Sequence, residues 1–304
     1  MAAEVTNPQM DPNYFLASIG RLFSIGAFTT KASTIQKGNM KIPTAHSTLA
    51  ISIAAVSLVC TSSFAGGKSE KSSELPTHAA LTTALKAVVS GGGNAGFALH
   101  MWATIVDRDG EVVIVTFSGN DRGDQWPGSR VISAQKANTA NSFSLPGLAL
   151  STANIYSAVQ PGGSLFGLQD SNPVDTVAAY RGPSANYGKP NDPMTRRKIG
   201  GVNVFGGGLA LYNAAGKLVG AIGVSGDTSC TDHIVAWKIR HALNLDNVPA
   251  GVSTSGDDNM VHDIKDDANG HPKSTDGWGH PVCGDDEKAI VAALPASHPV
   301  GPNP

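Results

Sequence analysis

The sequence predicts an α+β domain in which helices cover an antiparallel sheet. Three observations carry this. Two apolar strand pairs each fold back through a glycine turn. Helical stretches with apolar residues at three- to four-residue spacing flank them. The order helix, hairpin, helices, hairpin, helix supplies no βαβ alternation, so the sheet is antiparallel.

The first helix is expected from Leu75 to Ser90, where Leu81, Leu85, Val88 and Val89 share a face. Gly91-Gly92-Gly93 stops it. Residues 97–107 and 111–119 read as strands, and Asp109-Gly110 between them is a hairpin turn. After Pro127, residues 128–143 form a helix with Val131, Ala134 and Ala137/Asn138 on one side. A second short helix is expected between Leu148 and Val159. Residues 160–200 are a glycine- and proline-rich insertion without periodicity, the kind of long connection that carries function or moves. Residues 202–213 and 218–226 form the second strand pair, turning at Ala215-Gly216, and residues 231–245 the last clear helix.

The two ends have a different character. Residues 40–65 read as a secretory signal peptide: Lys41 in the n-region, an apolar run from Leu49 to Val59, and Ser63-Phe64-Ala65 before a mature start at Gly66. Ser57-Leu58-Val59 is a poor lipobox for Cys60, so a soluble exported form, periplasmic or secreted, is expected. Residues 1–39 precede that signal as a leader without a structural role. The full chain carries a net charge of −2. Its first 65 residues hold four of the Lys+Arg and two of the Asp+Glu, so the mature form carries −4. Neither value suits a nucleic-acid partner. From residue 246 to 304 the chain holds ten Asp/Glu, three Lys and four of the nine histidines among many Gly and Pro. This reads as an irregular extension around the domain or a neighbouring subunit. Cys230 and Cys283 survive signal removal and are expected to form one disulfide in an oxidising compartment.

Residues 220–233, GAIGVSGDTSCTDH, concentrate the chemistry. Ser225 is not in a G-x-S-x-G elbow, because Gly226 follows it directly. Asp232 and His233 are adjacent on a helix and diverge by about 100°, so no Ser-His-Asp relay forms and no catalytic residue is assigned. His233, Trp237 and His241 lie four residues apart on one helical face, with the histidines too far apart for one metal ion. Residues 265–276 hint at a calcium loop, but Lys265 stands where the first carboxylate belongs. No dinucleotide-binding G-x-G-x-x-G follows a strand, which weakens an enzymatic reading.

Three segments together resemble the GlcG/HbpS family of haem-binding proteins: residues 103–120 with a D-x-x-G turn, residues 129–143 with an A-x-K-A-x-T-A core, and residues 207–238 with a terminal hairpin, a G-x-S-G turn and an acid-led helix. The resemblance implies a profilin-like, five-stranded antiparallel sheet between helices over a domain at 66–245, symmetric homo-oligomers, and haem or a related tetrapyrrole as ligand. It places Lys136, Thr139 and Phe143 on one side of the pocket and Ser225, Asp232 and His233 on the other. A haem site needs an axial ligand and partners for the propionates. His233 is the first choice for the iron, His100 and His241 the reserves, and Lys136 and Arg130 the propionate partners. The expected function is an exported haem carrier, scavenger or sensor partner. The alternatives are an accessory subunit without cofactor, or an enzyme of haem breakdown or small-acid metabolism.

Overall fold

The computed structural model describes residues 74–301. The leader expected at 1–39, the signal peptide expected at 40–65 and Cys60 lie outside the described residues. Helix α1 (His78–Ser90) is capped by Thr77, whose hydroxyl accepts from the Ala80 N–H. Its i, i+4 pair Leu81 and Leu85 is fully buried. Strands β1 (Trp102–Asp107) and β2 (Val112–Phe117) form the first hairpin. The Asp107 carboxylate accepts from the Asp109 and Glu111 N–H groups in its turn, and Gly110 takes φ +75°. Helix α2 (Ser129–Phe143) follows, then short α3 (Thr152–Ile155). The insertion holds two further four-residue helices, α4 (Leu168–Ser171) and α5 (Thr176–Ala179), and a 3-10 turn at Ser184–Asn186. Strands β3 (Gly208–Tyr212) and β4 (Leu218–Ser225) form the second hairpin, and α6 (Ser229–Ala242) leaves it.

The sheet order is β2-β1-β4-β3, with every pairing antiparallel. Alternation along β1 assigns its faces. Ala103 and Ile105 point to the larger core, with Ile222, Val224 and residues of α1 and α6. Trp102 and Val106 point to a second core with Val131, Ala134, Ala137 and Ala140 of α2. Covered on both faces, the central strand β4 is buried along its whole length and is apolar up to Ser225 at its end. Glycine brings α2 close: a Cβ at Gly223 would collide with the Ser133 carbonyl, so only hydrogen fits there.

The α+β architecture is as the sequence predicts, with three differences. The sheet has four strands among the described residues. The place beside β3 is taken by a single bridge, Asp246 against Tyr212, and the outer edge of β2 by Glu111 against Lys198. One-residue bridges cover both edges without adding a strand. Second, the strand expected from residue 97 begins at Trp102, because Ala95, Gly96 and Ala98 all have positive φ and turn the chain. Third, the extension is more regular than its composition suggests. It contains a hairpin, β5 (Ile264–Asp266) with β6 (Pro272–Ser274), and a 13-residue helix, α7 (Asp285–Ser297). Asp285, Asp286 and Glu287 suit the positive end of α7, and Val291 and Leu294 enter the main core. The calcium-like segment is the β5–β6 turn, where Asp267 accepts from the Asn269 and His271 N–H groups.

Candidate functional site

The residues between Ser225 and His233 build a buried polar cluster. Gly207, at φ +115°, lies over it where a Cβ would meet Asp232 Cβ at 2.9 Å and Lys136 Nζ at 3.2 Å. Lys136 of α2 reaches Asp232 of α6 at 2.7 Å and also donates to the Val224 carbonyl. Both side chains are almost wholly buried. The second Asp232 oxygen accepts from the Asp227 N–H. Burial pushes the Asp232 carboxyl up to about 6 and Lys136 opposes this, so the carboxyl is mostly ionised at neutral pH.

His233 is sealed, with no exposed surface. Its Nε2 meets Asn259 Oδ1 at 3.3 Å and its Nδ1 has no hydrogen-bond partner. Burial above all, then Arg240 and His280, lowers its pKa to about 3, so the imidazole is neutral. The cover comes from the C-terminal extension. Asn259 also donates to the Val291 carbonyl, and Met260 Cε lies where a Cβ on Gly206 would stand. The His280 ring accepts from the Gly206 N–H and packs against Tyr156 at 5.2 Å. The expected disulfide, Cys230–Cys283, ties this cover to the first turn of α6.

The other sequence-derived site residues disperse. Arg130 is buried against Asp192 through a bidentate pair, donates to the Ala179 carbonyl and lies 3.6 Å from the Tyr187 ring centroid. Every visible interaction of this guanidinium is structural. Thr139 donates to the Gln135 carbonyl and accepts from the Asn203 N–H. Phe143 packs with Ile155, Val159 and Val204. Ser225 is buried at the end of β4, opposite Trp102. His100 is exposed, with its Nδ1 on Ser118 Oγ at 3.1 Å. The structure therefore joins Lys136 and Asp232, turns the neighbouring His233 towards Asn259, and sets Arg130, Thr139, Phe143 and His100 elsewhere.

His241 has a different setting. It lines a cavity of about 350 Å³ between α1 and the end of α6, with Ala87, Val88, Gly92, Lys238 and His298. Asp246 Oδ2 lies 2.7 Å from His241 Nδ1. A carboxylate at Nδ1 holds the ring in one orientation, the arrangement found behind metal-bound histidines. The His298 ring stands 5.3 Å away, edge to face. Burial, His241 and Lys238 hold His298 below the usual histidine value. Apolar walls and an imidazole held by a carboxylate fit one edge of a tetrapyrrole; the sealed space at His233 does not. Lys238 at the rim is already engaged, donating to the Gly93 carbonyl and to Asn94 Oδ1. Sequence reasoning named His241 only as a reserve and missed Asp246, His298, Asn259 and Asp192. Those four come from segments without periodicity or motif.

Comparison with known proteins follows the same chain segment. The family model described as haem degrading protein HbpS-like matches residues 75–240. A crystal structure of a PduOC–heme complex is 22% identical, covers 56% of this chain and 96% of its own, and superposes with a TM-score of 0.39. Klebsiella pneumoniae protein ORFY is 26% identical, with 57% and 94% covered and a TM-score of 0.37. A double mutant of Streptomyces reticuli HbpS is 21% identical, with 63% and 96% covered and a TM-score of 0.36. No curated protein matches the chain.

Proposed function

The chain belongs to the HbpS-like haem degrading protein family, and from that premise we propose that it binds haem or a related tetrapyrrole as an exported carrier, scavenger or sensor partner. Homo-oligomers are part of the proposal. The observation that carries the site is the 2.7 Å contact between Asp246 and His241 Nδ1 at the wall of a largely apolar cavity. His241 would hold the iron, and Ala87, Val88 and Ala242 would take one macrocycle edge. The bound haem would supply the visible absorption and redox chemistry. His298 is within reach to shield or add to the ligand set. The cavity holds part of a macrocycle, so a second surface, such as another copy of this chain, would cover the rest.

The test is a visible absorption titration of the purified protein with haem. A saturable Soret shift at one haem per chain or per dimer is expected, lost in His241→Ala and retained in His233→Ala and His100→Ala. An unchanged spectrum in His241→Ala would overturn the ligand assignment. Adding ascorbate to the loaded protein separates the roles. A stable Soret band supports a carrier, and its decay with a new product absorbance replaces that role with haem breakdown.

A further inference from the structure

Charge is unevenly distributed on this domain. Between Arg181 and Lys198 the chain carries five cations, Arg181, Lys189, Arg196, Arg197 and Lys198, and one acid, Asp192. Elsewhere in residues 74–301 there are 11 cations against 20 acids. All five cations are exposed, and none is in an ion pair among the described residues. The one acid is unavailable to them, because Asp192 is fully buried on Arg130 and accepts from the Gly188 and Met194 N–H groups.

That buried knot makes the strip a built surface. Asp192, Arg130 and Tyr187 anchor its middle, Met194 is fully buried beneath it, and Pro193 packs where a Cβ on Gly182 would stand. Its end is pinned to the sheet, since Arg196 N–H donates to the Val112 carbonyl and Val112 N–H to that of Arg197. Exposed apolar groups adjoin it. The Asp175 N–H donates to the Ile199 carbonyl and Val174 bridges Gly200, which sets the start of α5 beside Arg196–Lys198. On that helix Val177 is 79% exposed, and Tyr180, its C-cap, is 57% exposed. A nearby cavity of about 660 Å³ shares Arg196 and Lys198 but also carries Asp107, Asp109 and Glu111 on its walls. Glu74, Arg108 and Lys217 complete that lining, so its charges balance and a small anion gains little there. Glu111, bridged to Lys198, and the exposed Asp175 border the strip, which keeps five cations against its one buried acid.

We propose that the Arg181–Lys198 strip, with Val177 and Tyr180 beside it, docks the protein on an anionic lipid surface. Unpaired cations supply attraction to phosphate headgroups and the apolar pair enters the interface. Interfacial binding by this chemistry is selective for anionic lipid and weakened by salt.

Cosedimentation of the full-length, haem-free protein with vesicles tests it. Binding is expected to phosphatidylcholine vesicles containing phosphatidylglycerol, at least tenfold weaker to phosphatidylcholine alone, and released by roughly 0.5 M salt. The triple variant Arg181→Glu/Arg197→Glu/Lys198→Glu should lose tenfold or more, and the milder Gln triple variant should fall between. Tyr180→Ser/Val177→Ser should weaken binding without changing its salt dependence. All variants share one N-terminal segment, so differences report the strip. Equal loss in a control that reverses the exposed Lys86, Lys265 and Lys273 would overturn the proposal. So would equal binding to neutral vesicles, or soluble polyglutamate competing as well as anionic vesicles do; the latter would assign the strip to an acidic protein.

Discussion

Lys136 and Asp232 stand 2.7 Å apart beneath Gly207 and tie helix α2 to the first turn of α6, with both charges out of water. A buried pair is weak evidence for net stability, but breaking one partner leaves an uncompensated charge. Lys136→Met should cost about 3–5 kcal/mol in urea unfolding, and Lys136→Met/Asp232→Leu should recover most of that. A double variant as unstable as the single one would refute this account.

The neutral histidines at the contact between α6 and the extension, His233 and His280, set the response to acid. Burial lowers His233 to about 3 and His280 to about 4, against 6.5 for a free imidazole. The unfolded chain takes up these protons first, so their contribution is complete above pH 6.5 and is lost as pH falls towards 4. Asp232 acts in the opposite sense. Its carboxyl is raised from 3.8 to about 6, so protonating it favours the folded state in that window. Two histidines outweigh one aspartate, and the net loss from pH 7.5 to 5 should be on the order of 2 kcal/mol. Urea midpoints at the two pH values measure it; a higher midpoint at pH 5 would reverse the sign.

Cys230 and Cys283 close a loop spanning 53 residues. Reduction should cost about 4 kcal/mol by chain entropy and lower Tm by roughly 10 °C. The extension should stay docked, because Val291 and Leu294 of α7 lie in the main core and the Trp237 indole donates to the His298 carbonyl. Cys283→Ser with unchanged far-ultraviolet circular dichroism but a lower Tm is the expected result. Loss of helical signal would mean that the bridge alone holds α7.

Asp246→Asn keeps the side-chain shape beside His241 but removes the charge that orients its ring. Haem affinity should fall about 10–100-fold, with little change in Tm. An affinity equal to the wild type's would mean that the imidazole does not need this partner.

The sequence by itself determined the alternation of helices and apolar hairpins, the turns at Gly110 and Gly216, and, by cysteine count, the disulfide. The first two are local patterns: a period of 3.6 or 2, or a residue that tolerates positive φ. The direct pairing of Lys136 with Asp232 was not among them, since the family resemblance set the two on opposite sides of a pocket. Even the misplaced start of β1 has a local cause, the positive φ of Ala95 and Ala98, which residue type alone does not signal.

Only the tertiary structure decided which histidine is open. His233 and His241 lie eight residues apart on one helix and look equivalent in the chain. Asn259, Met260 and His280 cover the first, while Asp246 and His298 frame a cavity at the second. Those partners come from 5 to 57 residues away, in segments with no periodicity of their own. Burial depends on what the rest of the chain places overhead, and that is a long-range property no local pattern encodes.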